Sequence, residues 1–182
     1  MITRAHANSF VELARRLPVL DVRSPGEFAI GHIPHAHSFP LFDDNERAEI
    51  GTIYKQVGQL EAMSRGMDFV GPKVGRMFLE GIALAKEGQL LVHCWRGGKR
   101  SESVAGLLSV SGLKITLLEG GYKQYRNWVL SQFPKPYDIA IVGGMTGSGK
   151  TEVLHALRDM GENTVDLEHL ADHRGSAFGR IG

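Results

Sequence analysis

Short apolar runs alternating with helix-periodic stretches constrain this chain more than any other feature. Residues 18–22 (PVLDV), 36–40 (AHSFP), 89–93 (QLLVH), 114–118 (KITLL) and 138–142 (DIAIV) read as strands, and residues 164–167 as one more. Residues 7–16, 101–111, 122–133 and 149–160 have helical spacing. Such alternation predicts an α/β fold with a mainly parallel sheet. Ser24, Pro25 and Glu27 supply an N-cap, a proline at the first helical position and a capping-box glutamate. Residues 42–88 hold eight Asp/Glu and six Lys/Arg without a clear strand, the balance of a solvated helical surface. Gly112 and Gly161 stand where helices are expected to end.

Pro134 and Pro136 cannot continue a helix, and the pattern restarts after them. The organisation expected is a domain over residues 1–133, a linker over 134–137, and the start of a second domain over 138–182. A length of 182 residues fits one domain, or two if one is small or incomplete.

Composition excludes several classes. With 42% hydrophobic and 23% charged residues the chain can bury a core and is no disordered polyelectrolyte. A single Cys excludes an intramolecular disulfide framework and a multi-Cys zinc site. No apolar run approaches the roughly 20 residues that cross a bilayer, and residues 1–10 lack a signal peptide's apolar core. A cytoplasmic protein with no membrane partner is therefore expected. Lys and Arg number 21 against 20 Asp and Glu, so a globally basic nucleic-acid binder is excluded while local patches stay open.

The densest chemical signal is His93-Cys94-Trp95-Arg96-Gly97-Gly98-Lys99-Arg100-Ser101, between a strand and a helix. Such a loop can curl around an anion, with backbone N–H groups inward and the helix presenting its positive end. Arg96, Lys99 and Arg100 add charge that favours a thiolate at Cys94. Gly97 and Gly98 permit a tight cradle. A lone Cys at a strand end is usually a core residue, but three cations and two glycines do not ordinarily follow one. Cys94 is read as a nucleophile, and Trp95 to Ser101 as its anion-binding surround.

Asp21-Val22-Arg23-Ser24-Pro25-Gly26-Glu27-Phe28, followed by Gly31-His32-Ile33-Pro34-His35-Ala36, resembles the opening signature of rhodanese-like domains. Leu118-Glu119-Gly120-Gly121-Tyr122 with Trp128 resembles their closing segment, so the likeness covers residues 4–133. It implies a doubly wound α/β sheet with Cys94 as a persulfide- or perselenide-carrying nucleophile. Asp21 and Arg23 are expected to hold strand and loop together. His32, His35 and His37 lack ligand spacing, and no metal site is expected there. The H-C-x5-R spacing is a residue longer than common sulfurtransferase loops and also resembles that of rhodanese-related dual-specificity phosphatases. The loop alone leaves chalcogen transfer and phosphate hydrolysis both open, with a tetrahedral anion suiting either.

Gly144-Met145-Thr146-Gly147-Ser148-Gly149-Lys150-Thr151 matches G-x-x-x-x-G-K-[ST] in full, after a strand-like run and before a helix. The backbone around Gly144, Gly147 and Gly149 would cradle phosphates, Lys150 would neutralise their oxygens, and Thr151 could hold Mg²⁺. Asp166 and Glu168 are candidate acidic partners, with a surface role equally open. Only 31 residues follow Thr151, so a fragment or truncated product is expected.

A rhodanese-like domain joined to a P-loop segment resembles the bacterial tRNA 2-selenouridine synthase family. The matching residues are Cys94 to Gly98 with Arg100 and Ser101, residues 46–56 (ERAEIGTIYKQ), residues 141–151, Asp166-Leu167-Glu168 and residues 171–179 (ADHRGSAFG). The likeness spans nearly the whole chain and the N-terminal half of the family's usual length. It implies replacement of sulfur by selenium at C2 of wobble 2-thiouridine in tRNA, with selenophosphate as donor and no tightly bound cofactor. It further implies geranyl diphosphate as a substrate, a geranylated intermediate, and the selenophosphate-producing enzyme as a partner. Residues 86–135 carry eight Lys/Arg against three Glu, a local excess that tRNA phosphates could meet. Tyr122, Tyr125 and Trp128 are read first as core residues and second as base-stacking surfaces; Trp95 stands equally for packing or for contact with a base or prenyl chain. The alternatives are an H-C-x5-R phosphatase, a generic sulfurtransferase, and a noncatalytic nucleotide- or RNA-binding module.

Overall fold

The structure is a computed structural model that describes residues 1–171, and the chain divides into two compact units between Lys135 and Pro136. The first unit is built on five strands: β1 (Ile2–Ala5), β2 (Val19–Asp21), β3 (His37–Ser38), β4 (Gln89–His93) and β5 (Lys114–Leu118). Their order is β1-β5-β4-β2-β3, and every pairing is parallel. Between them run α1 (Ala7–Ala14), α2 (Pro25–Ile30), α3 (Asp44–Gln56), α4 (Gln59–Val70), a 3-10 turn (Gly71–Lys73), α5 (Val74–Leu84) and α6 (Lys99–Ser109). Helix α7 (Gly121–Gln132) closes the unit.

The sheet is covered on both faces, which is why its central strands read as continuous apolar runs. Side chains alternate across a strand, and the two cores follow that alternation. Leu20, Val22, Leu90, Val92, Ile115 and Leu117 face Met77 of α5 and Val104, Ala105 and Leu108 of α6. Val19, Leu91 and Leu118 face Phe10 of α1, with Tyr122, Tyr125 and Trp128 of α7 packed alongside. Burying each such aliphatic side chain is worth roughly 1.5–3 kcal/mol. The fold is the doubly wound α/β sheet of the rhodanese-like type.

Local signals act where the sequence places them. The reciprocal capping box of Ser24 and Glu27 starts α2, and residues 42–88 form the helical stretch expected. Two strands differ from expectation. Strand β1 lies outside the expected runs, because ITRA is short and three of its four residues are exposed at the sheet edge. Strand β3 covers only two of the five residues in AHSFP, since Pro40 has no N–H to continue a ladder.

In the second unit, α8 (Lys150–Asp159) and α9 (Leu167–Leu170) form. Gly161, at φ 91°, donates its N–H to Arg158 O at 2.9 Å and closes α8 as expected. Residues 138–142 and 164–167, expected as strands, form none. A strand is held by a neighbour's ladder, and the described residues of this unit offer no second strand. Asp166 caps α9 by accepting the His169 N–H at 3.0 Å. Residues 172–179 of the family-like ADHRGSAFG segment lie outside the described residues.

Candidate active site around Cys94

Strands β4 and β5 are neighbours, yet β4 leads into α6 on one face and β5 into α7 on the other. In open parallel sheets such a divergence leaves a crevice at the carboxyl ends of the strands, where ligands bind. Cys94 follows directly on β4 and opens the loop at that crevice.

The thiol loop is clamped by backbone. Tyr122 N–H donates to Cys94 O at 2.8 Å and Lys123 N–H to Trp95 O at 3.1 Å, so the first turn of α7 fixes the loop's carbonyls. Gly97 adopts φ 66°, and a Cβ there would lie 2.6 Å from Leu118 O. A side chain at that position would push loop and turn apart. Gly97 is therefore required by both its dihedral and its neighbour.

Cys94 is buried, with its Sγ 3.2 Å from Ser101 Oγ, and the Ser101 hydroxyl lies 3.0 Å from Gly98 O. That hydroxyl can donate to the carbonyl while accepting from a thiol, or rotate and donate to a thiolate. Ser101 thus serves both states of the sulfur. Gly98 is the N-cap of α6, which places the helix's positive end at the loop.

The cations have different surroundings. Arg96 is exposed, and Lys99 is exposed beside Glu102 at 3.8 Å. Arg100 donates to Glu27 from Nη1 at 2.7 Å and from Nη2 at 3.4 Å. Burial alone would raise the Glu27 pKa, but the bond and charge of Arg100, the Ser24 N–H and Arg47 together hold it below the usual value. Glu27 was legible only as a local capping residue. Nothing in the sequence marked its partner 73 positions away.

Beneath the loop, Asp21 and Arg23 form a buried pair, with Nε to Oδ1 at 2.9 Å and Nη2 to Oδ2 at 2.5 Å. Arg23 also donates to Gly31 O at 2.7 Å, and its guanidinium lies 3.9 Å from the Tyr122 ring centre. The pair ties β2, the turn after α2 and α7 together, as expected. His93 is fully buried, its Nε2 3.6 Å from Asp21 Oδ2, and neither ring nitrogen has a hydrogen-bond partner among the described residues. Desolvation lowers its pKa to about 4; Asp21 opposes the shift and Arg23 adds to it. It is a neutral imidazole at ordinary pH.

Trp95, Tyr122, Tyr125 and Trp128 form a row of ring contacts with centroids 5.7–6.3 Å apart. Tyr122, Tyr125 and Trp128 are half-buried against the core around Phe10 and Leu118. Their packing against this core matches the first of the two readings. Lys123 and Arg126 on the same helix are exposed.

In the second unit, Gly149 (φ 80°) is the N-cap of α8, and Lys150 Nζ donates to Met145 O at 2.8 Å. Gly147 also has positive φ, and Thr151 is exposed on the first turn of α8. A Cβ on Gly144 would meet Ser148 Oγ at 2.5 Å. The loop therefore closes on itself in a compact turn that leads into the helix. Among the described residues no group of three or more His, Cys, Asp or Glu is arranged to hold a metal ion, and no helix is long and apolar enough to cross a membrane.

The model of the rhodanese-like domain matches residues 6–127, more than half of the chain. The chain belongs to the rhodanese-like family. Beyond its rhodanese-like domain, residues 137–182 match the model described as the tRNA 2-selenouridine synthase AAA domain. A curated tRNA 2-selenouridine synthase from Sulfurovum sp. is 40% identical over 168 residues, covering 90% of this chain and 45% of that protein. One from Pseudomonas putida is 42% identical over 172 residues, with the same two coverages of 90% and 45%. The chain thus spans about half the length of the curated relatives it matches. Among solved structures, the N-terminal domain of a protein described only as ATP/GTP binding, from Clostridium difficile 630, is 40% identical. It covers 71% of this chain and 99% of its own, with a TM-score of 0.62.

Proposed function

We propose that this rhodanese-like chain replaces sulfur with selenium at C2 of wobble 2-thiouridine in tRNA, with selenophosphate as donor and Cys94 as nucleophile. The observation that carries the reading is the position of Cys94: at the end of a central strand, in a glycine-clamped loop that opens onto the positive end of α6. The naming of relatives about 40% identical over 90% of the chain as tRNA 2-selenouridine synthases supports the substrate class.

Selenium in selenophosphate is already at the selenide level. A Cys94 thiolate that takes the phosphoryl group forms S-phosphocysteine and, with one proton, releases hydrogen selenide with no change of oxidation state. Selenide then attacks C2 of a geranylated thiouridine and expels geranyl thiolate, a better leaving group than a bare thiocarbonyl sulfur. Water returns Cys94 by releasing phosphate. The one-residue-longer loop suits attack at a tetrahedral phosphorus. In this reading the Lys150 loop binds the diphosphate of geranyl diphosphate, and Thr151 would help hold a Mg²⁺ ion whose charge would stabilise the departing diphosphate. Exposed Arg96, Lys99, Lys123 and Arg126 would meet the tRNA backbone. Catalysis in the cytoplasm and supply by a selenophosphate-producing enzyme belong to the same reading.

The test uses a protein carrying this chain at the full length of its relatives. Cys94→Ser should abolish selenium incorporation into 2-thiouridine tRNA, and Lys150→Ala should abolish geranyl transfer while leaving Cys94 intact. Selenium incorporation retained by Cys94→Ser would overturn the assignment of the nucleophile. Geranylation retained by Lys150→Ala would overturn that of the diphosphate loop. Phosphate-ester hydrolysis is the second reading, favoured by the H-C-x5-R spacing alone.

A further inference from the structure

The arginine that completes the H-C-x5-R spacing already has an anion. Arg100 grips Glu27 with two nitrogens, at 2.7 and 3.4 Å. Glu27 is itself fixed from other sides: the Ser24 N–H donates to Oε2 at 3.1 Å and Arg47 Nε lies 3.8 Å from the same oxygen. Neither partner is free in solvent, with side-chain exposures of 23% for Arg100 and 16% for Glu27. The carboxylate's surroundings keep it ionised at neutral pH. Arg100 lies in the first turn of α6, one residue before Ser101, whose hydroxyl touches Cys94 Sγ. A carboxylate anchored by the cap of α2 therefore occupies a cation of the thiol loop.

We propose that Glu27 is an internal competitor for tetrahedral oxyanions: it holds Arg100, so that phosphate in the Cys94 loop binds weakly and leaves readily. This rests on the reading of the loop as an anion site and adds the residue that sets its affinity. A dianion entering the loop must either share Arg100 with Glu27 or do without it. A charged hydrogen bond is at stake, and such bonds carry more than neutral ones. Glu27 would also keep abundant phosphate from occupying the thiol between turnovers. It is a specificity-determining residue that need not touch the reacting atoms.

The experiment measures protection of Cys94 from iodoacetamide by inorganic phosphate, followed by mass spectrometry. Cys94 is the chain's one thiol, so the readout reports this loop and ignores phosphate held by Lys150. Glu27→Gln keeps an acceptor for the Ser24 N–H while removing the charge. It should lower the half-protecting phosphate concentration about tenfold. The gain should vanish when Arg100→Ala is added to Glu27→Gln. If Glu27→Gln unfolds the chain, Glu27→Asp draws the carboxylate back and should act in the same direction. Equal protection of the parent chain and the Glu27 variant, or a gain that survives Arg100→Ala, would overturn the competition while the anion loop stands. Absence of protection by phosphate in every variant would overturn the anion loop and the competition together.

Discussion

Gly121 approaches Cys94 so closely that a Cβ added to it would lie 2.4 Å from the Cys94 carbonyl oxygen and 2.5 Å from Gly97 N. The turn after β5 and the loop after β4 are thus fitted backbone to backbone. No flexible side chain lies between them to give way.

Gly121→Ala should therefore be costly. Its φ of 61° already penalises a side chain by about 1–2 kcal/mol, and the contact with backbone adds to that. A loss above about 2 kcal/mol is expected in urea unfolding, with faster alkylation of Cys94 as the loop is pushed open. Gly106→Ala is the control: it lies inside α6 with nothing within 4 Å of the new Cβ, and should be neutral or stabilising. Equal stability of the two variants would refute the clamp.

Asp21→Asn should destabilise the domain without altering its size or shape. Arg23 is 1% exposed and Asp21 fully buried, so removal of one charge strands the other. Breaking such a pair costs about 3–5 kcal/mol. Gly31 O and the Tyr122 ring retain part of the guanidinium's contacts, which favours the lower end. Chemical denaturation at neutral pH measures it, and a loss below about 1 kcal/mol would show that the pair is dispensable.

Acid should weaken the fold through His93. Its pKa falls from 6.5 to about 4 in the native state, so the unfolded chain binds the proton more tightly. Stability is full above the unfolded value and falls as the pH drops from about 6.5 toward 4, by up to about 3 kcal/mol in all. Glu27, with a lowered pKa, adds a further loss only as the pH passes through the carboxylate range. His93→Leu removes two nitrogens that have no hydrogen-bond partner among the described residues and should flatten the slope between pH 7 and pH 5. An unchanged slope in that variant would place the acid sensitivity elsewhere.

The central strands and Gly97 are legible because each obeys a local rule: apolar runs covered on both faces, and a backbone turn at φ 66° that only glycine follows without strain. Gly98, at φ −110° with nothing within 4 Å of an added Cβ, does not require glycine. Cys94, Ser101 and the Arg23 pair stand where the motif order suggested. What escaped is what depends on distant partners. ITRA has no apolar signal of its own and becomes a strand through its register with Ile115 to Leu118. DIAIV has the signal but no partner strand among the described residues, and forms no strand. The spacing of Arg100 marks it as an anion ligand, while its bond to Glu27 spans 73 positions, which no short window encodes.

The pairing of β1 with β5 sets a schedule. Ile2 meets Ile115, so the first strand of the rhodanese-like unit has its backbone neighbour in the unit's fifth. During synthesis the amino-terminal edge must wait until nearly the whole domain has left the ribosome, the more exposed to wrong pairing the slower the translation. The Cys94 loop waits too, since Tyr122 and Lys123 supply its clamping N–H groups. A nascent chain released before Lys123 would carry the thiol but not the hand that holds it.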